Sequence, residues 1–284
     1  MSRIVYVNGA YLPEEEAKVS VFDRGFLFAD GVYEVTSVLN GKLVDFDGHA
    51  KRLERSLTEL EMPSPVTMDE LLQIHRDLID RNGLVEGGVY LQITRGAAPR
   101  DFAYPADPKP TLVLFTLEIN ISGSPKAETG LKVVSIPDER WGRRDIKTVQ
   151  LLYPSMGKMA AKAQGADDAW MVEDGAVTEG TSNNAYIVTK DGKIVTRQLS
   201  HAILHGITRA AVLRMAEEAQ MIVEERPFTI EEAQNAAEAF ITSATTFVTP
   251  VVEIDGVTLG DGKPGRIAKR LREIYMDEAR AKAV

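Results

Sequence analysis

Residues 31–61 read GVYEVTSVLNGKLVDFDGHAKRLERSLTELE, and the change of period inside this stretch decides the fold class. Gly31–Leu39 is rich in Val, Tyr and Thr, side chains that suit a pleated strand. Asn40-Gly41 is a tight-turn pair, and Lys42–Phe46 reads as the returning strand of a hairpin. From His49 to Glu61 the apolar residues Leu53, Leu57 and Leu60 take the spacing of one helix face. A hairpin that runs straight into an amphipathic helix points to an α+β fold.

The neighbouring segments agree. Upstream, Ile4–Val7 reads as a strand, and Asn8-Gly9 turns it toward a second short one. Downstream, Met68–Asn82 repeats the helical spacing with Leu71, Leu72, Ile74, Leu78 and Ile79, and Gly83 stops it. Val89–Thr94 and Thr111–Leu117 are apolar, β-branched runs that suit buried strands. Gly, Ser and Pro cluster at Asn120–Lys126, which reads as a linker. Beyond it, strands are expected at Leu131–Ile136, Ala169–Glu173, Ala185–Val188, Lys193–Thr196, Ala239–Thr242 and Val251–Ile254. Helices are expected at Leu152–Gln164, Thr208–Ala219, Ile230–Asn235 and Gly265–Ala281. The expected organisation is a small N-terminal domain at 1–119, a linker at 120–126 and a larger C-terminal domain at 127–284. A chain of 284 residues exceeds what one core usually holds.

Bulk properties exclude several classes of function. The net charge is −9, from 33 basic and 42 acidic residues, which disfavours non-specific nucleic-acid binding and adhesion to anionic membranes. No cysteine is present, so disulfides, thiolate metal sites and a cysteine nucleophile are excluded. The N-terminal residues show no apolar stretch followed by a small-residue cleavage site, and no run approaches the ~20 apolar residues of a membrane-spanning helix. A cytoplasmic protein is expected, with no membrane or nucleic-acid partner. His201 and His205 are four apart but fall in an expected loop, so no metal site is expected. HExxH, GxSxG, a Walker A loop and a GxGxxG after a strand are all absent.

Three local features can carry chemistry, each with a plainer alternative. Gly206-Ile207-Thr208 precedes an apolar-periodic helix and could bind an anion through backbone N–H groups, or be an ordinary cap. Thr242-Ser243-Ala244-Thr245-Thr246 could donate to a phosphate, or be a turn. Thr178–Asn184 sets one carboxylate, Glu179, in a polar run that otherwise reads as a hairpin connection. Nothing local distinguishes Lys147 from a solvated surface lysine.

Taken in order along the chain, these segments resemble the fold type IV pyridoxal-phosphate enzymes. The likeness runs through Asp23-Arg24-Gly25-Phe26, Asp30 to Val35, His49 to Leu53, Thr94-Arg95-Gly96, Arg140-Trp141 and Asp145-Ile146-Lys147. It continues through Val177 to Asn183, Gly206 to Arg209 and Ile241 to Thr245, and the D-amino acid transaminase branch looks nearest. The resemblance implies a two-domain fold whose larger domain is a mixed sheet or pseudo-barrel, with pyridoxal 5′-phosphate as cofactor. It matches Lys147 to the lysine that carries the cofactor and acts as base, and Glu179 to the acid at the pyridine nitrogen. Arg52 matches the phosphate-binding arginine. Gly206, Ile207 and Thr208 match a phosphate loop, and Ser243 and Ala244 a second phosphate-contacting turn. Thr181, Ser182 and Asn183 follow Glu179 in its motif, and Leu204 matches an apolar residue packed on the ring.

For the substrates, an amino donor and a 2-oxo acid, the resemblance matches Tyr33 and Arg100 to the residues that hold the donor's carboxylate. Phe102 stands where relatives carry His, Ser37 where they carry a basic residue, and Ala244 where many carry Thr. A homodimer is implied, with the Pro99–Pro105 loop lent across a two-fold axis. Transamination of D-amino acids is the leading expectation. The alternatives are branched-chain L-amino acids or (R)-amines as donors, and 4-amino-4-deoxychorismate lyase activity, which would release pyruvate.

Overall fold

The computed structural model describes residues 2–284. The chain divides into two compact units. One comprises the chain up to Asn120 together with Ile146–Gln150 and Ala279–Val284; the other comprises Ile121–Asp145 and Leu151–Glu278.

In the first unit the elements are β1 (Ile4–Val7), β2 (Ala10–Pro13), α1 (Arg24–Phe28), β3 (Gly31–Leu39), β4 (Lys42–Leu43), α2 (Phe46–Glu59), α3 (Met68–Asn82), β5 (Glu86–Thr94) and β6 (Thr111–Glu118). The strands form an antiparallel sheet in the order β2-β1-β6-β5-β3-β4. β3 pairs with β5 along its whole length, Gly31 opposite Thr94 and Leu39 opposite Glu86. Strand alternation sorts the side chains of β3. Val32, Glu34, Thr36 and Val38 are buried, while Tyr33 and Val35 lie half-buried on the other face. Val32 shares a core with Leu53 and Leu57 of α2 and with Leu71 and Leu78 of α3. α3 starts at a capping box between Thr67 and Glu70 and ends on Gly83 in the left-handed conformation.

Phe46 corrects the sequence reading. It opens α2 rather than closing a strand, because Asp45 adopts a left-handed backbone (φ 54°) that breaks β4 after Leu43. Its ring then packs edge-on against His75 at 5.2 Å. The five-residue α1 was not anticipated; Asp23 caps it by accepting from Gly25 N at 2.8 Å.

The second unit contains α4 (Pro125–Thr129), β7 (Leu131–Pro137), α5 (Leu152–Ala163), β8 (Asp168–Glu173), β9 (Ala176–Gly180), β10 (Asn184–Val188), β11 (Ile194–Thr196), α6 (Ile207–Glu218), β12 (Val223–Glu225), α7 (Ile230–Gln234), β13 (Glu238–Ser243), β14 (Phe247–Ile254) and β15 (Val257–Thr258). α8 (Arg266–Lys282) follows. Pro125, part of the expected linker, occupies the first turn of α4, where its missing N–H costs nothing. The sheet runs β12-β11-β10-β13-β14-β7-β8-β9, with β15 beside β14. It is mixed: β14–β7, β7–β8 and β11–β12 are parallel.

The ladder cannot be flat. β9 and β10 are five places apart in it, about 24 Å at about 4.8 Å per strand. Residues 181–183 alone join them, a reach of about 14 Å, and Gly180 N donates to Asn183 O at 2.8 Å. The sheet therefore curls on itself, the pseudo-barrel expected of the larger domain. Trp170, Val177, Ile187, Phe228 and Ile241 belong to the core it encloses.

Candidate active site

Lys147 lies in the short stretch Ile146–Gln150, which pairs with the part of the β3 edge that β4 leaves open. Tyr33 N donates to Lys147 O at 3.0 Å, Val149 N donates to Gly31 O at 3.0 Å, and Val32 bridges Thr148. Ile146, only 3% exposed, anchors the stretch in the core of the first unit. The lysine is half-buried, and its Nζ stands 4.1 Å from the centre of the Tyr33 ring. A cation above an aromatic face is attracted by the ring's quadrupole, so the amine has a preferred resting place. Tyr33 is itself backed by Tyr90, stacked at 5.7 Å.

Arg52 is 8% exposed, so it is not a solvated charge on the helix surface. Helical spacing puts His49 and Arg52 on the face of α2 that meets β3. Arg52 Nε and Nη2 donate to the two oxygens of Glu34 at 2.7 Å each, and His49 Nδ1 lies 2.8 Å from Glu34 Oε2. Burial alone would raise the Glu34 pKa, but Arg52 and His49 outweigh it and hold the carboxyl far below the usual range.

Arg100 and Phe102 sit on the loop between β5 and β6. Both are exposed, Phe102 at 79%. The Arg100 guanidinium lies 5.4 Å from the Phe28 ring centre, and Phe28 contacts Phe102 at 5.5 Å.

In the second unit Glu179 is buried near the end of β9. Its Oε1 accepts from Arg140 Nη1 at 2.6 Å; its Oε2 accepts from Asn184 Nδ2 and Leu204 N, each at 3.0 Å. Burial is the largest influence on this carboxyl and raises its pKa, against the pull of Arg140 and the Leu204 amide. Arg140 is held in turn by both oxygens of Asp138, at 2.9 and 2.7 Å. The result is a desolvated carboxylate with its orientation set by three donors.

The polar run after Glu179 divides its work. Thr181 Oγ1 and Asn183 Nδ2 donate to the two oxygens of buried Asp168 at 2.6 Å each, and Ser182 is exposed. The side chain that reaches Glu179 is the next one, Asn184, which also donates to Leu204 O at 3.0 Å. Gly206 caps α6 without any side-chain hydrogen bond. A Cβ there would come within 2.1 Å of Asn184 Oδ1, so glycine is required by close packing. Ile207 is half-buried and Thr208 buried at the head of α6. An uncapped helix N-terminus of this kind presents N–H donors and a positive dipole end to an anion. Ser243 ends β13, and its Oγ lies 2.8 Å from Thr246 Oγ1 within the second turn; Ala244 beside it is half-buried. Backbone pairing of Asn184 with Thr242 brings β10 and β13 side by side here. His201 and His205 stand in a non-helical loop, so their spacing does not stack them.

Sequence reasoning assigned no role to Asn184, Asp168, Asp138, Glu34 or His49. Their importance lies in partners 5 to 40 residues away, from Glu179–Asn184 to Asp138–Thr178. Each unit taken by itself offers groups that suit part of pyridoxal 5′-phosphate: the first a half-buried amine at Lys147, the second a buried carboxylate suited to a ring nitrogen and an uncapped helix start suited to a phosphate.

Comparison with known proteins agrees with this chemistry. The amino-transferase class IV family matches residues 31–254. A D-alanine aminotransferase of Bacillus licheniformis is 41% identical over 268 residues, 94% of each chain. A D-alanine aminotransferase of Staphylococcus haemolyticus is 37% identical over 270 residues, 95% of each chain. The crystal structure of the T.th. branched-chain amino acid aminotransferase with pyridoxamine 5′-phosphate superposes with a TM-score of 0.91 at 26% identity, covering 99% of this chain and 95% of that one.

Proposed function

This chain belongs to the class IV aminotransferases, and from that premise we propose that it transfers the amino group of a D-amino acid to a 2-oxo acid, with pyridoxal 5′-phosphate held at Lys147. When bound, the cofactor supplies an electron-withdrawing ring that accepts the electron pair left as the donor's Cα–H bond breaks. Lys147 Nζ is the group that carries the cofactor and moves the Cα proton. Glu179 sets a buried negative charge for the ring nitrogen, and that charge favours a proton there. Asn184 and Arg140 hold its two oxygens in orientation. The N–H groups of Gly206, Ile207 and Thr208, with Ser243 and Ala244, take the phosphate, and Arg52 adds positive charge while tied to Glu34. Thr181, Ser182 and Asn183 serve through their backbone: the Asp168 anchor fixes the turn that follows Glu179. Leu204 offers its side chain to the ring and its amide to Glu179.

Tyr33 and Arg100 receive the donor's carboxylate, which needs a charged or hydrogen-bonding partner once removed from water. Phe102 makes their surroundings less polar. The observation that carries the D-amino acid reading is the near full-length likeness to D-alanine aminotransferases. The test is a panel of D- and L-amino acids with a 2-oxo acid acceptor. D-Alanine should react faster than L-alanine; a preference for L-leucine would transfer the assignment to branched-chain substrates.

A homodimer and a cytoplasmic location complete the proposal. No helix among the described residues is long and apolar enough to cross a membrane. Sedimentation should show a dimer, and an active monomer would contradict the sharing of the Pro99–Pro105 loop between protomers.

A further inference from the structure

The segment Asp23-Arg24-Gly25, prominent in the sequence, has no part in the chemistry above, yet Arg24 is buried to 3% exposure. Its Nε donates to Asp30 Oδ2 at 2.7 Å. Nη1 donates to Asp101 O at 2.6 Å and to Ala103 O at 3.3 Å, and Nη2 donates to Phe102 O at 3.4 Å. One guanidinium thus gathers three successive carbonyls of an irregular loop whose Arg100 and Phe102 side chains are exposed. Arg95 backs the arrangement. Its Nε shares the same Asp30 oxygen at 2.8 Å, its Nη atoms donate to Glu61 O and Leu60 O, and its guanidinium lies 3.5 Å from the Tyr104 ring centre. A second route reaches Arg100 itself. Phe28 of α1 has the Arg24 guanidinium 4.6 Å from its ring centre and that of Arg100 at 5.4 Å.

We infer that Arg24 is a positioning residue: it clamps the backbone of residues 101–103 and so sets where the Arg100 guanidinium stands for the donor's carboxylate. A mobile loop carrying a charged anchor would pay ordering entropy each time substrate binds, and a buried cation shared among its carbonyls removes that cost in advance. Lysine cannot replace it, because one ammonium cannot span Asp30 and three carbonyls with the geometry of a planar fork. The link to substrate rests on the carboxylate role proposed for Arg100.

The test compares holoenzyme with its R24K, R24Q, R100A and R24Q/R100A variants. Hydrogen exchange reads the clamp through the order that it imposes on the loop amides. In R24Q the amides of Arg100–Tyr104 should exchange at least about tenfold faster, with R24K intermediate and β5 unchanged. Steady-state kinetics read its consequence. In R24Q the KM for D-alanine should rise on the order of tenfold, as a displacement well under 1 Å can cause, while kcat at saturation stays within about twofold. In the R100A background the R24Q change should add nothing further, since both act through one group. Unchanged exchange in the loop overturns the clamp. Faster exchange with a KM rise that persists in the R100A background overturns the link to Arg100. A wild-type KM in R100A overturns the carboxylate role instead, and the exchange data then decide the clamp alone. If R24Q does not fold, R24K is judged by the same two measurements.

Discussion

Replacing Glu179 by Gln separates structure from chemistry at one position. The carboxylate accepts three hydrogen bonds, from Arg140, Asn184 and Leu204. An amide has one acceptor oxygen and a donating NH2, so one of its ends must face a donor. If the oxygen stays on Arg140, the new NH2 faces two donors: the bond from Leu204 N is lost, and the one from Asn184 is lost unless its amide flips to present Oδ1. Bonds to a charged acceptor contribute about 1.5–3 kcal/mol each, so the gross loss is a few kcal/mol. Arg140 is not left uncompensated, because both oxygens of Asp138 remain on it. The fold should therefore survive with a stability loss on the order of 2–3 kcal/mol, below the ~3–5 kcal/mol of a broken buried pair. Turnover should fall further. Without a negative partner the protonated ring nitrogen loses its electrostatic support, and removing one preorganised electrostatic partner typically raises a barrier by about 3–4 kcal/mol. That corresponds to roughly 100- to 1000-fold in kcat. The assay is kcat for D-alanine with a 2-oxo acid, alongside cofactor content and thermal unfolding. Glu179→Asp keeps the charge and should lose less. Turnover within about threefold of wild type in Glu179→Gln would refute the reasoning and leave Glu179 as a structural turn residue.

Lys147→Ala should abolish transamination, and borohydride reduction with peptide mapping should find the pyridoxyl group on Lys147; recovery on Lys158 or Lys162 would defeat the assignment. Arg52→Lys should weaken cofactor retention on dialysis and also lower stability, because a single ammonium cannot reproduce the two bonds to Glu34; unchanged retention would remove Arg52 from the phosphate site. Acid stability should show His75 directly: burial pushes its pKa down to about 4. Its neutral form stabilises the fold fully above about pH 6.5, and that contribution, on the order of 3 kcal/mol, is lost as pH falls toward 4 and the unfolded chain takes the proton first. His75→Leu should flatten unfolding free energy over that window, and an unaltered slope would show that His75 does not titrate there. Glu34 acts at lower pH: its depressed pKa contributes stability above about pH 4.5 that is lost on further acidification.

Helices with regular apolar spacing were legible in the sequence because their period is local. The expected Met68–Asn82 and Leu152–Gln164 became Met68–Asn82 and Leu152–Ala163. The start of α2 was not legible, since the left-handed turn at Asp45 leaves no mark in composition. Lys147 and Glu179 could be found only through resemblance: alone, one is a lone lysine and the other a carboxylate in a turn. Within Thr181–Asn184 the sequence offers four small polar residues in a row. Which of them meets Asp168 and which meets Glu179 depends on the curl of the sheet, a property of strands far apart in the chain. The Glu34–Arg52 pair was hidden for the same reason, as it forms only once β3 and α2 pack face to face.

The stretch Ile146–Gln150, paired along the edge of β3, gives the protein a birth order. As the chain leaves the ribosome, the first unit's own six strands are complete once Glu118 has emerged. The partner of the open β3 edge still lies beyond residues 121–145, which belong to the other unit. At about 5–20 residues per second that gap is roughly 1–5 s. Throughout it the Tyr33 amide and the Gly31 carbonyl face outward, a short unpaired edge of the kind that invites a neighbouring chain. A polypeptide released early would thus carry a formed sheet, an open seam and no Lys147. Closing the seam and delivering the amine are one event, so every chain that has hidden its adhesive edge has also acquired its reactive group.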